Sequence, residues 1–98
     1  MTIKQEKNAD KLTLLIEGRI DTKTAPELEQ VVKTELEGVT ELVLDLAETS
    51  YISSAGLRVM LMAQKQMNKQ GTMKVVHASS DLMEIFEVTG FSDILTIE

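Results

Sequence analysis

The chain has no cysteine and no tryptophan, one histidine, one proline, one tyrosine and two phenylalanines among 98 residues. Without cysteine there is no disulfide, no thiolate metal ligand and no thiol nucleophile, a composition compatible with a reducing cytoplasm. So few aromatic rings make no platform for stacking bases. Ten Lys and Arg against sixteen Asp and Glu leave a net charge of −6, and phosphate-backbone binding needs clustered positive charge, so nucleic acid is not an expected partner. No apolar run approaches the roughly 20 residues that span a bilayer, and residues 1–6 lack an apolar signal-peptide segment. Neither membrane insertion nor export is expected, which makes the cytoplasm the expected compartment.

What is present suits one small globular domain over residues 1–98, with 43% apolar and 27% charged side chains. Residues 2–7 are expected to form a strand, followed by a turn at Asn8, Ala9 and Asp10. Leu12, Leu14 and Ile16 alternate, so residues 11–17 pair with the first strand as a hairpin that ends at Gly18. Thr24-Ala25-Pro26-Glu27 predicts a helix start: Thr24 as cap, Pro26 where no N–H is needed, Glu27 completing a capping box. Leu28, Val31, Val32 and Leu36 continue at helical spacing to Gly38. Residues 42–46 read as a central strand, and residues 47–53 as a loop.

A second helix begins at Ser53-Ser54 and continues through Leu57, Met60, Leu61, Ala63 and Met67 to Gly71. Residues 73–77 are expected to be a strand, Ser80-Asp81 to cap a short helix, and residues 94–97 to form a last strand. Strands alternating with three helices predict an α/β fold with a mixed, mostly parallel central sheet and an antiparallel N-terminal hairpin. In such sheets the working surface gathers at the carboxyl ends of the strands, where helix N-termini also point. A serine at the first turn of a helix lies where unbonded N–H groups and the helix dipole favour negative charge. A phosphate added there would be held by the backbone and would turn a neutral surface anionic.

Four segments in order resemble the STAS domain of bacterial anti-sigma-factor antagonists. They are Glu17-Gly18-Arg19-Ile20-Asp21 with Thr24-Ala25, Leu42-Val43-Leu44-Asp45-Leu46, Tyr51-Ile52-Ser53-Ser54-Ala55-Gly56-Leu57, and Val88-Thr89-Gly90-Phe91. The resemblance implies a protein that, unphosphorylated, binds an anti-sigma factor and so frees a sigma factor. It implies as partners an anti-sigma factor that is also a serine-protein kinase, and a metal-dependent serine phosphatase. Alignment on Gly56-Leu57 puts the phosphoacceptor at Ser54, with Ser53 as second choice. Asp21, Thr22, Thr24, Ser53, Ala55, Gly56 and Arg58 are then expected to border the docking surface. The chain departs from the commonest family pattern, with Ser53 in place of an Asp before the acceptor and Ala55 in place of a Ser or Thr after it.

Plainer roles compete at each position. Ser53 and Ser54 are ordinary capping residues, Gly56 answers a packing constraint, and Arg58 is a solvated arginine. Asp21 is expected to hydrogen-bond within its loop and Asp45 to be a strand-end acid near the serines. Two carboxylates on separate elements are weak grounds for a metal site, so no metal or cofactor is expected. His77 reads as a strand residue without an acidic partner, and Met60, Met62, Met67, Met73 and Met83 as core filler. No Gly-x-Ser-x-Gly elbow, glycine-rich phosphate loop or catalytic dyad is present, so a binding protein, monomeric when free, is expected rather than an enzyme. The rival within the same fold is a STAS subunit that is never phosphorylated and serves a transport or other signalling assembly.

Overall fold

The computed structural model describes residues 1–98. In chain order the elements are β1 (Thr2–Asn8), β2 (Lys11–Ile20), α1 (Ala25–Glu35), β3 (Glu41–Asp45), β4 (Thr49–Ile52), α2 (Ser54–Gln70), β5 (Thr72–Val76) and α3 (Ser80–Val88). A 3-10 turn at Phe91–Asp93 follows. β1 and β2 form the antiparallel hairpin, with Ala9 at φ 56 in its turn. β2, β3 and β5 are parallel neighbours in the order β1-β2-β3-β5, so the mixed sheet matches the sequence expectation.

One face of the sheet holds the core. Leu12 lies beside Leu42 and Met73, and Leu14 beside Leu44 and Val75, all at most 3% exposed. The helices close over this layer with Leu28, Val32, Val59, Met60, Ala63, Met67, Leu82 and Phe86. Each of these apart from Ala63 contributes about 2 kcal/mol from removal of apolar surface from water. On the alternate positions, Thr13, Leu15 and Lys74 are partly open, Val43 between them is buried, and Lys74 lies 3.9 Å from Glu41 across the strands.

Five local expectations need correction. β2 does not stop at Gly18; it bulges between Gly18 and Arg19 and runs on to Ile20. Residues 49–52, read as loop, form β4, which pairs with β2 beyond the point where β3 leaves it. Residues 94–97 make no strand, only a single parallel bridge from Ile97 to Val75, because the Ile94 and Leu95 N–H groups turn back onto Phe91 O at 3.0 and 2.8 Å. The cap of α3 is Ser79, whose Oγ accepts from Leu82 N at 3.2 Å, rather than Ser80. Met83 is also no core filler, being 36% exposed while Leu82 and Phe86 carry the buried stripe of α3.

Two loop closures position the helices. Gln70 at the end of α2 donates through Nε2 to the carbonyls of Leu36 and Val39, both at 2.6 Å, and so satisfies the open end of α1. Gly71 ends α2 with extended rather than left-handed backbone, φ 173. Its glycine is required by space: a Cβ there would overlap the Thr40 carbonyl.

Candidate functional site

The loop after β2 is organised by Asp21. Its Oδ1 accepts from Lys23 N at 3.0 Å and Thr24 N at 3.1 Å, and its carbonyl accepts from Ala25 N at 2.8 Å. Thr24 does not cap α1 with its side chain. Its hydroxyl instead donates to Arg19 O at 2.8 Å and accepts from Asp21 N at 2.8 Å, tying the loop to the end of β2. An Asp reaching backbone N–H groups two and three residues on is the usual alternative to a helix cap. Thr22 is exposed at the tip.

These bonds favour the ionised carboxylate of Asp21. The Thr24 N–H leads, with Lys23 N–H, the Thr24 hydroxyl and Arg19 adding, and together they outweigh the opposing desolvation and hold the carboxyl below the usual range. A depressed folded value means that the stabilising contribution is present above the unfolded value, about pH 4, and fades as the pH falls through the folded one. Parent and Asp21→Asn should therefore differ in thermal midpoint at neutral pH and converge in acid. Differential scanning calorimetry from about pH 7 down to pH 2.5 measures this, and a gap that stays constant across the range would contradict it.

The second half of the site is the start of α2. Ser53 has extended backbone, φ −87 and ψ 175, and its N–H donates to Ile20 O at 2.8 Å. That bond holds the β4–α2 junction against the residue preceding Asp21, so the two loops share one corner. Ser53 is half-buried and already engaged: its carbonyl accepts from Leu57 N at 2.9 Å and its Oγ from Gly56 N at 3.4 Å. Ser54 is exposed, and with Ala55 and Arg58 it lines a shallow surface depression. The N–H groups of Ser54 and Ala55 have no preceding helical carbonyl to bond.

Gly56 explains how this turn is seated. It is buried, and a Cβ on it would come within 2.7 Å of Ile20 Cγ2, 3.0 Å of Ile52 Cγ2 and 3.2 Å of Ile20 O. Both isoleucines are at most 2% exposed and have no room to give. Gly56 thus presents no surface of its own; it lets α2 lie close against β2 and β4, which fixes the direction in which Ser54 faces.

Two expectations about neighbours fail. Asp45 is not near the serines, because it pairs with Leu15 whereas Ile52 pairs with Ile20. Five residues along one strand separate them, ~16 Å at about 3.3 Å per residue. His77 does have an acidic partner: its Nδ1 lies 3.0 Å from Asp45 Oδ1, and it sits beyond β5 at φ 61 rather than in the strand. The adjacent strand ends of β3 and β5 bring the two together.

A further feature of the corner is not evident from spacing along the chain. The Arg19 guanidinium stacks 4.4 Å over the ring of Tyr51, which is 37% exposed, and its Nε lies 3.7 Å from Asp21 Oδ2. The signal was the register Arg19↔Tyr51, which exists only once residues 49–52 are recognised as a strand. The corner therefore presents an exposed serine, a stacked aromatic and two arginines, with no group of three acids or histidines that would hold a metal ion. No helix is long and apolar enough to cross a membrane.

Comparison with known proteins matches this geometry to a family. The model of the STAS domain matches residues 1–98. An anti-sigma-B factor antagonist of Listeria monocytogenes is 35% identical over 97 residues, covering 96% of this chain and 84% of the relative. The anti-sigma-B factor antagonist of Bacillus subtilis is 32% identical over 93 residues, covering 94% and 85%. The crystal structure of an anti-sigma factor antagonist from Mycobacterium paratuberculosis has the same fold, with a TM-score of 0.88 at 24% identity over 98% of this chain and 83% of that one. A match along the full length, with relatives that align over most of both chains, places this chain in the STAS domain family.

Proposed function

We propose that this chain is an anti-sigma-factor antagonist, a single-domain cytoplasmic binding protein whose unphosphorylated form docks on an anti-sigma factor and thereby frees a sigma factor. The observation that carries the reading is the contrast at the start of α2: the hydroxyl of Ser53 is engaged as a cap, whereas that of Ser54 faces solvent. The names of the Listeria and Bacillus relatives support the partner class. Ser54 is the phosphoacceptor. Ser53, Ala55 and Arg58 surround it, and Asp21, Thr22 and Thr24 border the docking surface across the shared corner, with Gly56 seating the helix beneath.

The partner is an anti-sigma factor that also acts as an ATP-dependent serine kinase. Ser54 Oγ attacks the γ-phosphorus of ATP held by that kinase, ADP leaves, and the hydroxyl proton passes to the kinase's own base. This chain supplies the nucleophile and no cofactor. The new group adds about −1.5 to −2 charge at a point the interface must desolvate, so binding ends while the helix start keeps the modified chain folded. A metal-dependent serine phosphatase removes the mark.

Isothermal titration of the purified anti-sigma kinase against both forms of the chain tests this. The unphosphorylated form should bind, and phosphorylation should weaken it by about 100-fold or more. Equal affinity for the two forms would overturn the reading. So would recovery of transporter subunits, rather than a kinase, as the specific partners.

A further inference from the structure

The two arginines of the corner are in different states. Arg19 is engaged on both sides, by the Tyr51 ring at 4.4 Å and by Asp21 Oδ2 at 3.7 Å. Arg58 is exposed, forms no ion pair within the chain and lines the depression into which Ser54 opens. Residues four apart on a helix lie one above the other, about 5–6 Å between Cβ atoms, so the guanidinium reaches a group on Ser54 Oγ by a rotamer change alone. The carboxylate whose charge Arg58 also feels is Glu29 of α1, and Glu29 is held by Lys33 at 2.8 Å. Nothing competes strongly for Arg58.

We propose that Arg58 clamps the phosphate of Ser54, an assignment that rests on the phosphoacceptor reading of that serine. Its planar fork donates two parallel hydrogen bonds to a phosphate, a geometry that a lysine point charge does not reproduce. Ala55 beside it is small and leaves the depression open for the phosphoryl oxygens. The clamp lays the phosphate along the first turn of α2, where it fills the depression a partner would otherwise occupy. Arg58 is thereby a positioning residue that turns an added charge into a shaped obstruction.

The test uses the chain with phosphoserine installed at position 54 during synthesis, so that no kinase is involved. Phosphorus NMR then follows the phosphate from about pH 4 to 8 in the parent, Arg58→Gln and Arg58→Lys. The backbone and helix dipole act equally in all three, so differences between the curves report on Arg58. The clamp predicts a second ionisation in the parent about half a unit or more below that in Arg58→Gln, roughly a threefold change in the acid constant, with Arg58→Lys between. It also predicts that phosphorylation raises the thermal midpoint more in the parent than in Arg58→Gln. Superposable titration curves would overturn it. Phosphate mapped to Ser53 in the kinase reaction would instead sink the switch reading, and the two failures are separately visible.

Discussion

Gly71→Ala should shift the urea unfolding midpoint down by about 2 M or more. The added methyl would overlap the Thr40 carbonyl, and that oxygen accepts from Thr72 N at 2.9 Å. Thr40 is fixed from the other side by its own N–H, which donates to Asp10 O at 2.8 Å. Moving it away would disturb the start of both β3 and β5, where Glu41 pairs with Thr72. A backbone clash of this kind costs about 3 kcal/mol, a large part of the 5–15 kcal/mol that holds a typical domain together. With a slope of about 1 kcal/mol per molar urea for a protein this small, the midpoint reports the loss directly. A midpoint within about 0.5 M of the parent would show that the α2–β5 turn is not packed as described.

Ser54→Glu should weaken binding to the anti-sigma kinase by about 30- to 100-fold while leaving the fold intact. The carboxylate adds one negative charge at an exposed position of the first helical turn, where the dipole tolerates or favours it, so stability should change by less than about 0.5 kcal/mol. In the complex the same charge must give up its water at the contact surface, a loss that pairing with Arg58 within the chain only partly offsets, which costs about 2–3 kcal/mol. The two effects have opposite settings, and that separation is diagnostic. Surface plasmon resonance with the immobilised kinase measures the first and thermal unfolding the second. Affinity within threefold of the parent would remove Ser54 from the interface.

The alternation of Leu12, Leu14 and Ile16 exposes the hairpin and the buried sheet face because side chains on a strand point to opposite sides. β4 was hidden for the same reason in reverse. Thr49 and Ile52 are buried with two exposed residues between them, a spacing that no flat, alternating strand shows. Thr49 is buried through a hydrogen bond from its hydroxyl to Ile16 O at 2.7 Å, a contact that periodicity does not encode. The apolar run Ile94-Leu95-Thr96-Ile97 suggested a strand, yet the turn that bonds the Ile94 and Leu95 N–H groups to Phe91 O leaves only one bridge to β5.

The candidate site was legible to a similar degree. Ser53-Ser54 before a helical pattern marks a helix start from local chemistry alone, and the structure separates the two hydroxyls by their bonding. The capping box at Thr24 was a fair local inference, but the ionised Asp21, three residues earlier, takes the Thr24 N–H that the Glu27 side chain would have bonded, and the Thr24 hydroxyl is turned back onto Arg19 O and Asp21 N. The Arg19–Tyr51 stack and the His77–Asp45 pair depend on which strands are neighbours, and spacing along the chain does not contain that information.

The account stands or falls on which oxygen receives the phosphate. Mass-spectrometric site mapping after reaction with the anti-sigma kinase and ATP, in the parent, Ser53→Ala and Ser54→Ala, answers this directly. The account predicts phosphate on Ser54 in the parent, continued labelling of Ser53→Ala, and no incorporation into Ser54→Ala. Undiminished labelling of Ser54→Ala, or phosphate on Ser53 in the parent, would contradict it.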